Sequence, residues 1–288
     1  FWQRLFLSVG ILVAVFGMRL LFPLVIVSQG TGFGRIEVWQ LAINQPDEYS
    51  QHLTEHYAEV AAFGGMFLLL VFLNFVLDEK KELHWLGWIE EKLALFGRID
   101  SVAILISLAA LIATLTLVPE AKKLGVLLSG VWGIVIYVAV DVVSNFLESE
   151  EENDPSVGDI VKRGGIGGFL YLEVLDASFS FDGVIGAFAI TKDVVIIMLG
   201  LGIGAMFVRS LTVYLVRRGT LDEYVFLEHG AHWAIGALAF IMLASVRFHI
   251  PEVITGLIGV AFIVVSLWSS IRHKSSGTPA DEAGGTGA

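Results

Sequence analysis

Eight stretches of predominantly apolar residues dominate this chain of 288 residues, at 5–28, 57–77, 101–118, 124–146, 166–190, 194–216, 230–246 and 251–271. A helix needs about 20 such residues to cross the hydrocarbon of a bilayer. In lipid every backbone N–H and C=O must find its partner within the protein, which leaves helices and closed barrels as the spanning structures. Barrel strands are about half this length and alternate apolar with polar positions; these stretches do not alternate. The expectation is an all-α, polytopic transmembrane helix bundle of about eight spanning helices over residues 1–272. The stretches at 101–118 and 230–246 are the shortest. Composition agrees: only 16% of residues are charged, against roughly 25% in an ordinary soluble domain. With 18 basic residues against 29 acidic there is no basic stripe to neutralise phosphates, so the expected partner is the lipid bilayer and not nucleic acid. The absence of cysteine removes disulfides and thiolate metal sites.

The connections differ in character. Residues 29–54 form a polar loop, 78–100 a charged segment and 148–159 an acidic loop. Residues 273–288 form a small, polar, Gly-rich tail expected to be disordered. Within 84–100, Trp85, Trp88, Ile89, Leu93 and Phe96 make a helical stripe with charge on the other face. That pattern predicts an amphipathic helix lying in the membrane interface. Assigning loops alternately to the two sides puts 11 Lys and Arg on the side of residue 1 and 5 on the other. Positive-inside bias then places residue 1 and the tail in the cytoplasm, and the chain as a multi-pass protein of the cell's inner (plasma) membrane. The two remaining basic residues, Arg19 and Arg209, lie inside apolar stretches.

Those two arginines belong to an internal repeat. Residues 10–19 (GILVAVFGMR) align with 200–209 (GLGIGAMFVR), with Gly and Arg at both ends. Residues 55–67 (EHYAEVAAFGGMF) align with 228–240 (EHGAHWAIGALAF), in the same order. Copy one covers about 1–77 and copy two about 166–247. The offset is five crossings, and an odd offset makes the copies enter the membrane in opposite directions. Inverted repeats of this kind are characteristic of secondary transporters, whose substrate site lies near mid-membrane between the copies. The fifth stretch lacks a counterpart, which would fall ahead of residue 1; together with an opening in mid-stretch and no initiator Met, this predicts a truncated N-terminus.

The fifth stretch carries Glu173, Asp176 and Asp182, with Ser180 among them. A carboxylate at a helix centre costs about 2.5–3.5 kcal/mol on insertion scales. Glu173, Asp176 and Ser180 share one face of a straight helix, while Asp182 points away. Either Asp182 has a different partner or the helix unwinds there and frees backbone carbonyls as further oxygen ligands. The bland alternative is that these acids pair with Arg19 and Arg209. Further candidates stand at helix entrances: Glu228, His229 and His232 in copy two, and Glu55, His56 and Glu59 in copy one. Carboxylate with imidazole suits first-row divalent metals, and all-oxygen sets suit Mg²⁺ or Ca²⁺. Taken singly, each His reads as a cap or interfacial residue.

The run YLEVLDASFSFDGVIG at 171–186 resembles the acidic transmembrane motif of the TerC-like integral membrane proteins, associated with tellurium resistance and manganese export. Residues 16–20 (FGMRL), 62–68 (AFGGMFL) and 228–232 (EHGAH) resemble a longer branch of that family. The likeness covers nearly everything but the tail. It implies that Glu173 and Asp182 are the motif acids, that a second acidic helix precedes residue 1, and that the fold is that of a LysE-like exporter. The motif's usual Asn after the Asp is Gly183 here, which removes an amide oxygen from the set. The resulting expectation is export of a divalent cation, Mn²⁺ by preference, with no resident cofactor. Glu173, Asp176, Ser180 and Asp182 would form the metal site, Glu228, His229 and His232 secondary ligands or a proton gate, and Arg19 and Arg209 counter-charges. The alternative is a non-transporting scaffold of a metal or tellurite stress-response complex, either with partners or as a homo-oligomer. An enzyme is not expected: there is no HExxH, and the His and Glu groups sit at helix ends.

Overall fold

The computed structural model describes residues 21–78, 101–151, 193–217, 224–248 and 250–276, with Gly10, Gly17, Trp85, Glu90, Gly183, Val184, Ala187, Phe188, Ile190 and Thr191. The described residues form helices and no strand: α1 (Phe22–Thr31), α2 (Arg35–Asn44), α3 (Pro46–Glu55), α4 (Tyr57–Leu77), α5 (Val102–Leu115), α6 (Glu120–Glu151), α7 (Val194–Arg217), α8 (Leu227–Ser245) and α9 (Glu252–Ser276). Among them five are long and apolar enough to cross a membrane: α4, α6, α7, α8 and α9. The protein is a polytopic helical bundle in a lipid bilayer environment.

α4 is the hub. It packs against α5, α6 and α8, and α8 in turn packs against α9. Its sequence is apolar on every side, the pattern of a helix surrounded by protein, and 78% of its spanning residues are buried. Hydrophobicity alone does not gather helices in lipid, since acyl chains are as apolar as leucine, so close-range contact must do it. Gly133 of α6 shows how: a Cβ there would strike the carbonyl oxygen of Phe63 on α4. Around that approach Met66, Phe67, Leu68, Leu70, Ile134 and Tyr137 form one buried cluster.

A second cluster joins Leu24 and Val27 of α1, Val38 and Ala42 of α2, and Tyr49 and Leu53 of α3 to Val184, Phe188 and Ile197. Here the structure corrects the expected polar loop at 29–54, which folds as α2 and α3. The local signals are short. Gly32 ends α1 in the left-handed conformation at φ 75°, which glycine adopts without strain. The Gly34 N–H donates to the Glu37 carboxylate at 2.9 Å, capping α2. Pro46 opens α3 with Asp47 and Glu48 in its first turn, each favourable at a helix start. Burial raises the Tyr49 phenol well above the ordinary tyrosine range.

Two further boundaries differ from expectation. The stretch at 101–118 becomes α5, only 14 residues long, about 21 Å at 1.5 Å per residue and too short to span unaided. Thr114 and Thr116 turn their hydroxyls back onto the carbonyls of Ala110 and Ala113 at its end. The stretch at 230–246 starts three residues earlier, at Leu227, and so reaches spanning length. The stretches at 5–28 and 166–190, the acidic loop beyond Glu151 and the tail beyond Ser276 lie largely outside the described residues.

Candidate functional site

Helices α4 and α8 lie against each other and run in opposite directions. Phe75, near the C-terminal end of α4, stacks on His232 at the start of α8, with centroids 3.6 Å apart and planes 3° from parallel. One turn further in, Phe72 meets Trp233 edge-on at 5.1 Å. At the far end Gly65 lies against Leu243. Positions descend along α4 as they ascend along α8. Each helix therefore carries its Glu-His entrance at an opposite end of the shared axis.

At the α4 entrance the pairs are local. His56 Nδ1 stands 3.1 Å from Glu59 Oε2, and His52 Nδ1 stands 3.3 Å from Glu55 Oε2. A second carboxylate, Glu48, approaches His52 Nε2 at 3.9 Å. Lys122 of α6 donates its ammonium to the Glu55 carbonyl at 2.6 Å. Gly125 of α6 makes room for the Glu59 carboxylate, which a Cβ would approach to 2.8 Å. The His side chains are 25% and 29% exposed and Glu55 is 52% exposed, so this group faces water.

At the α8 entrance the pairing is long-range and His229 is buried. Glu90 is fully buried. Its Oε1 accepts the indole N–H of Trp233 at 2.9 Å, and its Oε2 accepts the backbone N–H of Trp85 at 3.2 Å. The same Oε2 lies 3.7 Å from His229 Nε2. Phe75 and Phe226 stand edge-on to His229 at 5.2 Å and 6.0 Å. An isolated buried carboxylate costs several kcal/mol, and the hydrogen bonds and neighbouring imidazole offset that cost here. His232 approaches the Glu228 carbonyl with its Nδ1 at 2.9 Å, while the Glu228 side chain is exposed.

The candidate residues thus fall into three groups. Glu55, His56 and Glu59 gather at one end of the axis. His229 and His232 stand at the other, where His229 meets an acid that the sequence left among the solvent-facing charges of the interfacial helix. Glu173, Asp176, Ser180, Asp182 and Arg19 lie outside the described residues. Arg209 of α7 is buried at 6% exposure. Among the described residues no three His, Asp or Glu side chains are gathered closely enough to hold a metal ion.

Sequence reasoning missed Glu90, Trp233 and the pair Asn74–Tyr137, in which the Asn74 amide donates to the phenol oxygen at 2.6 Å between α4 and α6. A signal existed for one of them. Trp233 follows His229 by four residues and so presents its N–H on the same helix face.

A family model described as "Protein of unknown function (DUF475)" matches residues 1–276. The chain is also similar to the "Uncharacterized membrane protein YceF" of Bacillus subtilis (strain 168), with 30% identity over 156 residues, 50% of this chain and 60% of that protein. The chain therefore spans less than two thirds of that relative's length. No solved structure matches the chain significantly.

Proposed function

The chain belongs to the DUF475 family, and from that premise we propose that it is a transporter-like membrane protein that moves a divalent metal cation, Mn²⁺ by preference, out of the cytoplasm. The observation that carries this reading is the antiparallel contact of α4 with α8, which bear matching Glu-His entrances at opposite ends. Two repeat copies facing opposite ways offer alternating access to a site between them. On this reading Glu173, Asp176, Ser180 and Asp182 bind the ion or carry coupling protons. Arg19 and Arg209 keep the empty site from excess negative charge. The TerC-like run at 171–186 supports the choice of cation.

The chemistry is consistent with a hard or borderline metal, because carboxylates, a hydroxyl and imidazoles are the available donors and thiolates are absent. The half-open group at His56 and Glu59 would receive or release the ion at one mouth. The Glu90–His229 contact would close the other. On the positive-inside count that closed mouth is the cytoplasmic one, in the inner membrane.

The test is Mn²⁺ flux into vesicles holding the purified chain and an entrapped chelating dye. Glu173→Gln and Asp182→Asn are each expected to lower flux at least tenfold while leaving the folded yield intact. Unchanged flux in both variants would remove the acids from the path and favour the scaffold reading.

A further inference from the structure

Helix α2, where a polar loop was expected, carries a surface that the transport reading does not use. At about 100° per residue its side chains fall into three successive arcs. Val38, Leu41 and Ala42 share the first and belong to the second buried cluster, Val38 at 0% and Ala42 at 1% exposure. Ile36, Trp39 and Ile43 share the next, and all three are exposed, Ile36 at 75%. Glu37, Gln40 and Asn44 share the last and are exposed as well. Burial of the first arc fixes the rotation of α2. One outward arc is therefore wholly apolar and the other wholly polar.

The depth of α2 follows from what lies beneath it. The cluster that receives Val38 and Ala42 also takes in Val60 from the first turn of α4 and Ile197 from the first turn of α7. Both helices are long and apolar enough to cross the membrane, and α2 is packed where both begin. That level is the boundary between hydrocarbon and water. A helix lying there meets protein on one side, lipid on the next and water on the last, which is the order of the three arcs. Tryptophan is enriched at this depth. A stable protein partner would need about 800 Å² and 20–30 residues a side, of which three side chains are a small fraction.

We infer that α2 is an interfacial helix whose Ile36, Trp39 and Ile43 side chains insert into the membrane surface. Because α2 packs against α3, it tethers the α3–α4 corner, with Glu48, His52 and His56, to the edge of the bilayer. This role is independent of whether the chain moves a cation.

The experiment exploits the absence of cysteine. Single thiols introduced by Ile36→Cys, Ile43→Cys, Gln40→Cys and Asn44→Cys each carry a nitroxide in the full chain, reconstituted in vesicles of phosphatidylglycerol and phosphatidylcholine. Collisions of the nitroxide with oxygen, which partitions into lipid, are compared with those of a water-soluble nickel chelate. The oxygen-to-nickel ratio at residues 36 and 43 is expected to exceed that at 40 and 44 about threefold or more, with the first two labels about 5–10 Å into the headgroup–acyl boundary. Equal ratios at all four positions would overturn the inference, whatever their level. Protection of residues 36 and 43 from both reagents would also overturn it, by showing a protein cover such as a second copy of the chain. All four positions are exposed, so the substitutions leave the buried arc of α2 untouched.

Discussion

The two entrances of the α4–α8 axis descend from matching sequence, Glu-His followed by a third polar residue, yet they solve the cost of charge in different ways. At the α4 end each imidazole pairs with a carboxylate three residues along its own helix, and water still reaches the pair. At the α8 end the imidazole meets Glu90, a fully buried acid from another part of the chain, within a ring of aromatic side chains. Local pairs in water are weak and easily exchanged; a buried pair is costly to break. Similar sequences thereby hold a partly exposed imidazole at one end of the axis and a buried one at the other.

The sharpest way to break this contrast is Glu90→Leu. It strands the N–H groups of Trp85 and Trp233 and removes the acid beside His229, and should destabilise the chain by about 3 kcal/mol or more in detergent unfolding. A loss below about 1 kcal/mol would mean that Glu90 is not sealed in. Trp233→Phe removes one charge-assisted hydrogen bond and keeps the ring; its expected cost is about 2 kcal/mol in the same assay.

Near the open end, Tyr49 gives a pH signature. Because burial raises its folded pKa, folded and unfolded chains both keep the proton below about pH 10 and the stabilisation is complete there. As pH rises past that point the unfolded chain ionises first, and stability falls by about 1.4 kcal/mol per unit. Tyr49→Phe should flatten that alkaline loss while changing little at pH 7. Smallest of all, Glu59→Gln at the α4 entrance should shift stability by about 0.5 kcal/mol or less, an effect that salt should erase.

Much of this arrangement was legible in the sequence. The apolar stretches announced α4, α6, α7, α8 and α9, because a run of that length has few other fates. The opposed directions of α4 and α8 agree with the count of crossings between them. What could not be read was partnership across distance. Glu90 and Trp233 are 143 residues apart, and helical periodicity assigns a charge to a face without revealing what will cover that face. Residues 29–54 were misjudged for the reverse reason: α2 and α3 are moderately polar, and their starts rest on Gly34, Glu37 and Pro46, single-residue signals that hydropathy averages away. Arg209 was read correctly as a residue inside an apolar stretch, and its burial agrees with the cost of facing lipid.

Because the chain contains no cysteine, the two ends of the axis can be compared by introducing one thiol at a time. Membrane-impermeant maleimide should label His56→Cys rapidly from one side of the membrane. It should label His229→Cys at least tenfold more slowly from either side, and the added substitution Glu90→Ala should restore rapid labelling of that thiol. Equal labelling of the two thiols in the otherwise unaltered chain, or access to both from the same face, would contradict an axis that is open at one end and sealed by Glu90 at the other.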